Sequence, residues 1–477
     1  MMEDISSLSE ALANGTLTAE ALLERSLARI AAGDPALNAF VAMDVAGARR
    51  AAKASDARRQ RGALLSPIDG IPLSIKDNIL VKDMPATWGS RAFADFMPAT
   101  DELPVARLRA AGAIIIGKTN VPELTLDGFT SNDLFGTTRN PWNNALTPGG
   151  SSGGAAASVA AGFVPAAMGT DGGGSTRRPA CHTGLVGWKP SSGHMPRLDG
   201  FPAILTDFEV IGLLTRSVRD AAILDQLLRA PDPRDRRSML ETTAPPIPAA
   251  PRILFVPTFG DIPVDPEVSS ACRRFVDGLR ERGATVTESA LFFDLDSVNE
   301  IWRVISRSGV AYMMDWHHGA LKSGASPSVR ALAEDGAAIS GADYIGALEK
   351  TAALRAGLAG LFAQYDLVIT PTAGALPWPV EKPYPDMIDG RPAGPRDHAV
   401  FTGWVNVGGL PAISLPIAIS RETLPIGIQL VAAFGADAAL LDFAEGLWQH
   451  CIALPDLPQS AATQQSGRAL HGSSGAF

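Results

Sequence analysis

Cysteine is almost missing from this 477-residue chain: Cys181, Cys272 and Cys451 are the three present, far apart and in no CxxC pair. That excludes a disulfide framework and a cysteine-built zinc site, and it fits a reducing compartment. Histidine is scarce too, with 7 residues, and the adjacent His317 and His318 lack the carboxylate partner that a metal-binding motif would add. No metal or cofactor is expected. No long basic run occurs, and 41 basic residues against 50 acidic ones leave a net charge of -9, which argues against nucleic acid as a partner. Nowhere do about 18 apolar residues follow one another as a bilayer span requires. The start, MMEDISSLSE, lacks the basic flank and apolar run of a secretory leader. The expectation is a cytoplasmic protein that meets neither nucleic acid nor membrane. What the chain does hold is apolar mass, 46% hydrophobic residues against 19% charged ones, which excludes wholesale disorder and provides for a large core.

Residues 4–60 carry helical periodicity: Leu8 and Leu12, then Leu22, Leu23, Leu27 and Ile30 on one face behind the capping residue Thr18. Two or three helices are expected there. An apolar run at 71–75, a helix over 102–111 and a strand at 113–116 leading into GKTN come next. Strand, helix, strand predicts parallel pairing in an α/β sheet. The turn-rich segment 128–154 runs into a helix of small residues at 155–161, able to lie very close to a neighbour. Composition shifts toward Pro, Asp and Arg at 230–251, ending in APPIPAAP, and this is the best linker candidate. Beyond it, a strand at 253–257, a helix over 268–282 and an extended 285–291 predict that the same sheet continues. The expected organisation is one domain over 1–458 with a variable insert at 231–350, then a flexible tail at 459–477.

Two glycine-rich clusters stand out, GGSSGG at 149–154 and GTDGGGSTR at 169–177. Isolated Gly/Ser runs are commonly linkers, but apolar segments directly adjoin both of these. Glycines so placed let backbone N–H groups converge on an anion or a developing oxyanion. The first cluster formally satisfies G-x-S-x-G, which would make Ser152 the nucleophile of a strand-to-helix elbow. The preceding PWNNALTP is no strand, however, and His398, His450 and His471 lie in no motif that would supply the base. A phosphate loop fails because no Lys-Ser or Lys-Thr follows in register. Lys76 ends the apolar strand of GIPLSIKDN. It is either a lysine snorkelling to the surface or, if buried, a base whose pKa desolvation has lowered.

These residues are arranged as in a known family: the chain resembles the amidase signature family of serine hydrolases. GGSSGG, GTDGGGSTRRPA at 169–180 and GLVGWKPSSG at 184–193 carry the likeness, and LNAFVA at 37–42, GIPLSIKDN at 70–78, AGAIIIGKTNVPEL at 111–124 and GTTRNPW at 136–142 extend it. DLVITPT at 366–372, GLPAISLP at 409–416 and LPIGIQLV at 424–431 carry it to the far end. The resemblance implies an amidase-signature fold, a large mixed twisted sheet covered by helices on both faces. It implies a Ser-Ser-Lys triad with Ser175 as nucleophile, Ser151 as bridging serine on a cis peptide bond and Lys76 as base. The N–H groups of Gly172, Gly173, Gly174 and Ser175 would form an oxyanion hole, with Asp171, Arg177 and Ser152 holding the loops around them.

The implied activity is hydrolysis of a small linear amide, aryl or alkyl, extending to carbamates or esters; the alternative is an A-type subunit of a partner-dependent transamidation complex. A homodimer is the oligomeric expectation. Departures from the family pattern are Asp69 before GIP, Ala86-Thr87-Trp88, Ser191-Ser192-Gly193-His194 after KP, and Arg178 where tRNA-linked A subunits commonly have glutamine. Arg178 and the proline-rich insert count against the tRNA-linked alternative. The substrate walls are expected at 129–133, 302–318 and 377–398, with Thr130, Ser131, Trp316 and Trp378 as contacts. Trp302, Tyr312, Met313 and Met314 could join them, unless these apolar residues are core packing at helical spacing.

Overall fold

The opening helices form where the apolar stripes predict them, at Ile5–Ala13, Ala19–Leu37 and Val45–Gln60. Thr18 caps the second by accepting the Ala21 N–H at 3.1 Å, one of the donors left without a partner at every helix start. That helix closes on Asn38 in the left-handed conformation, and Asp34 accepts the Ala39 N–H at 2.7 Å, turning the chain into the first strand. The computed structural model describes residues 3–240, 244–290, 292–316 and 318–448, without the side chains of 318, 320 and 322. The expected tail, Cys451, His450 and His471 lie outside the described residues, as do the side chains of the His317 and His318 pair.

The strands are β1 Phe40–Met43, β2 Pro72–Lys76, β3 Ile114–Thr119, β4 Ser131–Asn132, β5 Gly136–Thr137, β6 Ala166–Asp171, β7 Val186–Lys189 and β8 Val210–Thr215. After the linker candidate come β9 Arg252–Phe255, β10 Thr285–Glu288, β11 Leu367–Pro371, β12 Met387–Ile388, β13 Arg391–Pro392, β14 Ala412–Ile419 and β15 Pro425–Val431. Eleven of them build one mixed sheet in the order β1-β3-β2-β6-β8-β7-β14-β15-β11-β9-β10. β2 runs parallel to β3 and β6, and β9 parallel to β10 and β11. Every residue of β2, β3, β6, β7, β8, β11 and β15 is buried, so both faces of the sheet are covered, the pattern of an α/β protein. β9 and β10 lie inside the expected insert yet belong to this sheet. Among the described residues no helix is long and apolar enough to cross a membrane.

Two features of this topology place the chemistry. β2 and β6 are parallel neighbours with Ile75 opposite Met168, so Lys76 and the loop after Asp171 leave the sheet at the same edge. The carboxyl ends of parallel strands are where α/β sheets form ligand crevices. The helix Gly153–Ala160, buried at every residue, sits against that edge. A Cβ on Gly154 would come within 2.4 Å of the Asn120 backbone nitrogen, so only glycine lets the helix approach this far. Its N-terminus delivers Ser151 and Ser152 to the ends of β2 and β6.

Candidate active site

Lys76 does not snorkel: it is fully buried. Its Nζ lies 2.8 Å from Ser151 Oγ, 2.8 Å from Thr170 Oγ1 and 3.3 Å from the Thr170 carbonyl. Burial drives its pKa down to about 7, against the opposing pull of the Glu209 and Asp171 charges. Asn78 Nδ2 donates to Thr170 Oγ1 at 3.1 Å and to Glu209 at 3.4 Å, and Arg197 binds both Glu209 and Glu102. The Lys76 amine is thus held by hydroxyl and carbonyl groups, with the nearest carboxylates already shared. The Gly150–Ser151 peptide bond is cis. Thr130, expected as a substrate contact, instead braces this turn, donating to the Gly149 carbonyl at 2.9 Å and accepting the Gly153 N–H at 3.1 Å.

The loop after β6 is shaped by Asp171, which accepts the N–H groups of Gly174, Thr176 and Arg177 at 2.7 to 3.3 Å. Arg177 donates to both Asp171 oxygens, at 3.0 and 2.8 Å, and spends its remaining donors on Gln429, Asn406 and the Thr402 carbonyl. Burial alone would raise the Asp171 carboxyl, but the Arg177 charge and these hydrogen bonds hold it far below the usual carboxylate range. Such a pair is tolerable in the interior because each hydrogen-bonding site is filled. Gly174 has φ +107°, and a Cβ there would strike Thr402 Oγ1 at 2.2 Å, so the turn demands glycine. Because the Gly174 N–H is taken by Asp171, Gly172, Gly173 and Ser175 remain of the four expected donors. Ser152 joins the two loops, its N–H reaching the Ser175 carbonyl and its Oγ the Thr170 carbonyl, both at 3.1 Å.

A cavity of about 490 Å³ opens over Gly172, Gly173 and Ser175. Ser175 is 8% exposed while Ser151 is 1% and Lys76 0%, so of the three expected triad residues it is the one within reach of a bound molecule. The wall segments expected at 302–318 and 377–398 supply Trp302, Arg303, Tyr384, Arg396 and His398. The individual contacts Thr130, Ser131, Trp316 and Trp378 do not line it. Ser131 is paired with Thr137 at 2.8 Å in the β4–β5 hairpin. Trp378 is buried, donates to the Lys382 carbonyl at 2.9 Å and packs behind the wall against His182 and His398. Trp316 is 47% exposed at the last turn of the helix Leu295–Trp316, about 21 Å along the axis from Trp302 at the usual rise per residue. Met313 is buried in a separate apolar cluster.

Sequence reasoning passed over Thr170, Asn78, Glu209, Arg396 and Thr402. Thr170 and Asn78 stand inside the quoted motifs and their spacing could have flagged them; the others come from distant segments with no local signal. Arg178 stood out as a departure, and its guanidinium donates to the Gly173 carbonyl, to Thr402 Oγ1 at 2.9 Å and to the Gly150 carbonyl at 3.3 Å.

Known proteins are similar to this chain in sequence and in fold. The Amidase family profile matches residues 21–441. The glutamyl-tRNA(Gln) amidotransferase A subunit of Roseiflexus sp. (strain RS-1) is 35% identical, covering 95% of this chain and 98% of that one. Among solved structures, a bacterial aryl acylamidase of the amidase signature family superposes with a TM-score of 0.86 at 26% identity, covering 94% of this chain and 96% of its own. The native peptide amidase from Stenotrophomonas maltophilia gives 0.80 at 26% identity, over 95% and 98% of the two chains. On the profile match and the full-length relatives, the chain belongs to the amidase signature family and is an amidase-type enzyme acting on C–N bonds.

Proposed function

We propose that the protein is a free-standing cytoplasmic hydrolase that cleaves small linear amides, aryl or alkyl, with carbamates or esters as side substrates, through an acyl-enzyme on Ser175. The observation that carries this reading is a fully buried lysine 2.8 Å from Ser151 Oγ, its pKa lowered by burial to about 7, with Ser175 lining the adjoining cavity. Neutral Lys76 has two N–H donors and a lone pair. The Thr170 carbonyl takes one donor and Thr170 Oγ1 the other, which directs the lone pair at the Ser151 hydroxyl. As Ser175 Oγ attacks the carbonyl carbon, its proton passes to Ser151 Oγ and the Ser151 proton to Lys76. The same relay returns a proton to the nitrogen as the C–N bond breaks, so the amine leaves neutral. Water then attacks the ester by the same route and frees Ser175.

In this reading the Gly172, Gly173 and Ser175 N–H groups hold the oxyanion, and losing one such donor costs about 2.7 to 4 kcal/mol of transition-state stabilisation. Ser152, its hydroxyl engaged by the Thr170 carbonyl, positions the nucleophile loop. A second reading, an amidotransferase A-type subunit that needs partner chains, is favoured by the names of the curated relatives. The test is turnover of a panel of anilides, primary amides, carbamates, esters and glutamine by the purified chain, with Ser175→Ala alongside. The first reading expects turnover by the chain alone that vanishes in the mutant. Glutamine hydrolysis that appears only with added partner subunits would replace it with the second.

A further inference from the structure

The cavity over Ser175 is more cationic than a chain of net charge -9 leads one to expect. Its charged lining is Arg178, Arg303, Arg307 and Arg396 against Asp127 and Glu209. Arg307 is paired with Asp335 at 3.5 Å and Glu209 with Arg197, so those charges are met. Arg178, Arg303 and Arg396 make no ion pair within 4.0 Å among the described residues, and Asp127 is the lining carboxylate left to oppose them. Two of the three flank one glycine. Trp302 stands so close over Gly173 that a Cβ there would come within 2.6 Å of its ring, and Arg396 stacks on that ring 5.2 Å from the centroid. Arg178 donates to the carbonyl of that same Gly173.

Beside them is a second, independent sign of a missing partner. His398 lines the same cavity, is 3% exposed, and neither ring nitrogen has a hydrogen-bond partner; Arg178 Nε is buried and unpartnered as well. Burial, and after it the charge of Arg178, holds His398 well below the ordinary imidazole value, so the ring is neutral and offers one donor and one acceptor. Buried Arg178, without an ion-pair partner within 4.0 Å, and the unpartnered ring nitrogens of His398 line this space together with the exposed guanidinium of Arg396, a set suited to an anion.

We propose that the amide cleaved at Ser175 carries a carboxylate on its acyl or its amine portion, which Arg396 binds with Arg178 and His398 beside it. This rests on amide hydrolysis at Ser175. The planar guanidinium fork matches a carboxylate bidentately, and a cationic, partly enclosed wall raises the local concentration of anionic substrate.

The test compares kcat/KM of the wild type on two matched pairs: succinanilic acid with its uncharged isostere isocaproanilide, and para-acetamidobenzoate with para-methylacetanilide. The acid of one pair should exceed its neutral isostere at least about tenfold, as a charge-assisted contact provides, and the pair that responds shows which portion bears the anion. That advantage should reside in KM, shrink as salt screens it, disappear in Arg396→Gln and reverse in Arg396→Glu. Equal or better turnover of the neutral member in both pairs overturns the proposal. Calorimetric titration of the Ser175→Ala protein with the same four compounds separates this failure from that of the hydrolase reading. Preferential binding of an acid retains the anion site even if no compound is hydrolysed; binding without preference, or none, overturns it.

Discussion

Lys76 is the residue on which the account turns, because its position makes it either a liability or a base. An ammonium enclosed by hydroxyl and carbonyl groups, with its nearest carboxylates shared with Arg197 and Arg177, loses hydration without a counter-ion of its own, and the neutral form gains. The sign for activity follows. In the proposed relay, a Lys76 with a pKa lowered to about 7 is an ammonium and blocked below that pH, and above it offers its lone pair. We therefore predict that kcat/KM rises through an inflection near pH 7 and then levels, and that Lys76→Ala lowers it by roughly 10²–10⁴, the range of general base catalysis. A flat profile with an active Lys76→Ala enzyme would remove the base assignment. At Gly174 the argument is steric, since positive φ and a Cβ contact of 2.2 Å with Thr402 leave no room for a side chain. Gly174→Ala should lower kcat at least about a hundredfold, as expected when oxyanion donors lose their aim, which steady-state kinetics on the folded variant would show.

At the scale of elements, three segments meet because parallel strands end together. The helix starts, the β2–β3 pairing and the small-residue helix were legible in the sequence, since periodicity, caps and Ala/Gly content are local properties. The edge at which the loops converge was not, because it depends on β2 lying next to β6, a pairing between segments about ninety residues apart that no local pattern encodes. The Asp171–Arg177 pair ties the loop after β6, which carries Ser175, to Asn406 and Gln429. Asp171→Asn leaves Arg177 buried without its carboxylate, and a broken buried pair costs about 3–5 kcal/mol. A lowered melting temperature together with a drop in kcat should result. An unchanged melting temperature would show that the loop does not depend on that charge. Gly154→Val should act through the helix instead, forcing it off Asn120, so that Ser151 retreats from Lys76 and activity falls along with stability.

At the scale of the molecule, the glycine and serine motifs told more than the walls did. Lys76, Ser151 and Ser175 each lie inside a contiguous motif, so a linear reading singles them out as candidates. The cavity draws on Glu209, on Trp302 and on the neighbouring Arg396 and His398, three separate excursions of the chain, and choosing aromatic residues by type includes Trp302 but also Trp316 and Trp378, which the fold sends to a helix end and behind the wall. Arg178 was visible because it adjoins a motif, and its charge could not be interpreted until its neighbours were known. Purified alone and held free of added subunits, the protein should hydrolyse at least one anilide with measurable turnover. A chain that is inert on every amide until partner subunits are supplied would favour the transamidation reading.

The most direct measurement is covalent trapping. Reaction of the wild type with an activated aryl ester under rapid acid quench, followed by intact-mass and peptide mapping, should place a single acyl group on Ser175, absent from Ser175→Ala and slow to form in Lys76→Ala. An acyl group on Ser152 or Ser151, or steady turnover with no adduct on Ser175 in any quench, would contradict the account.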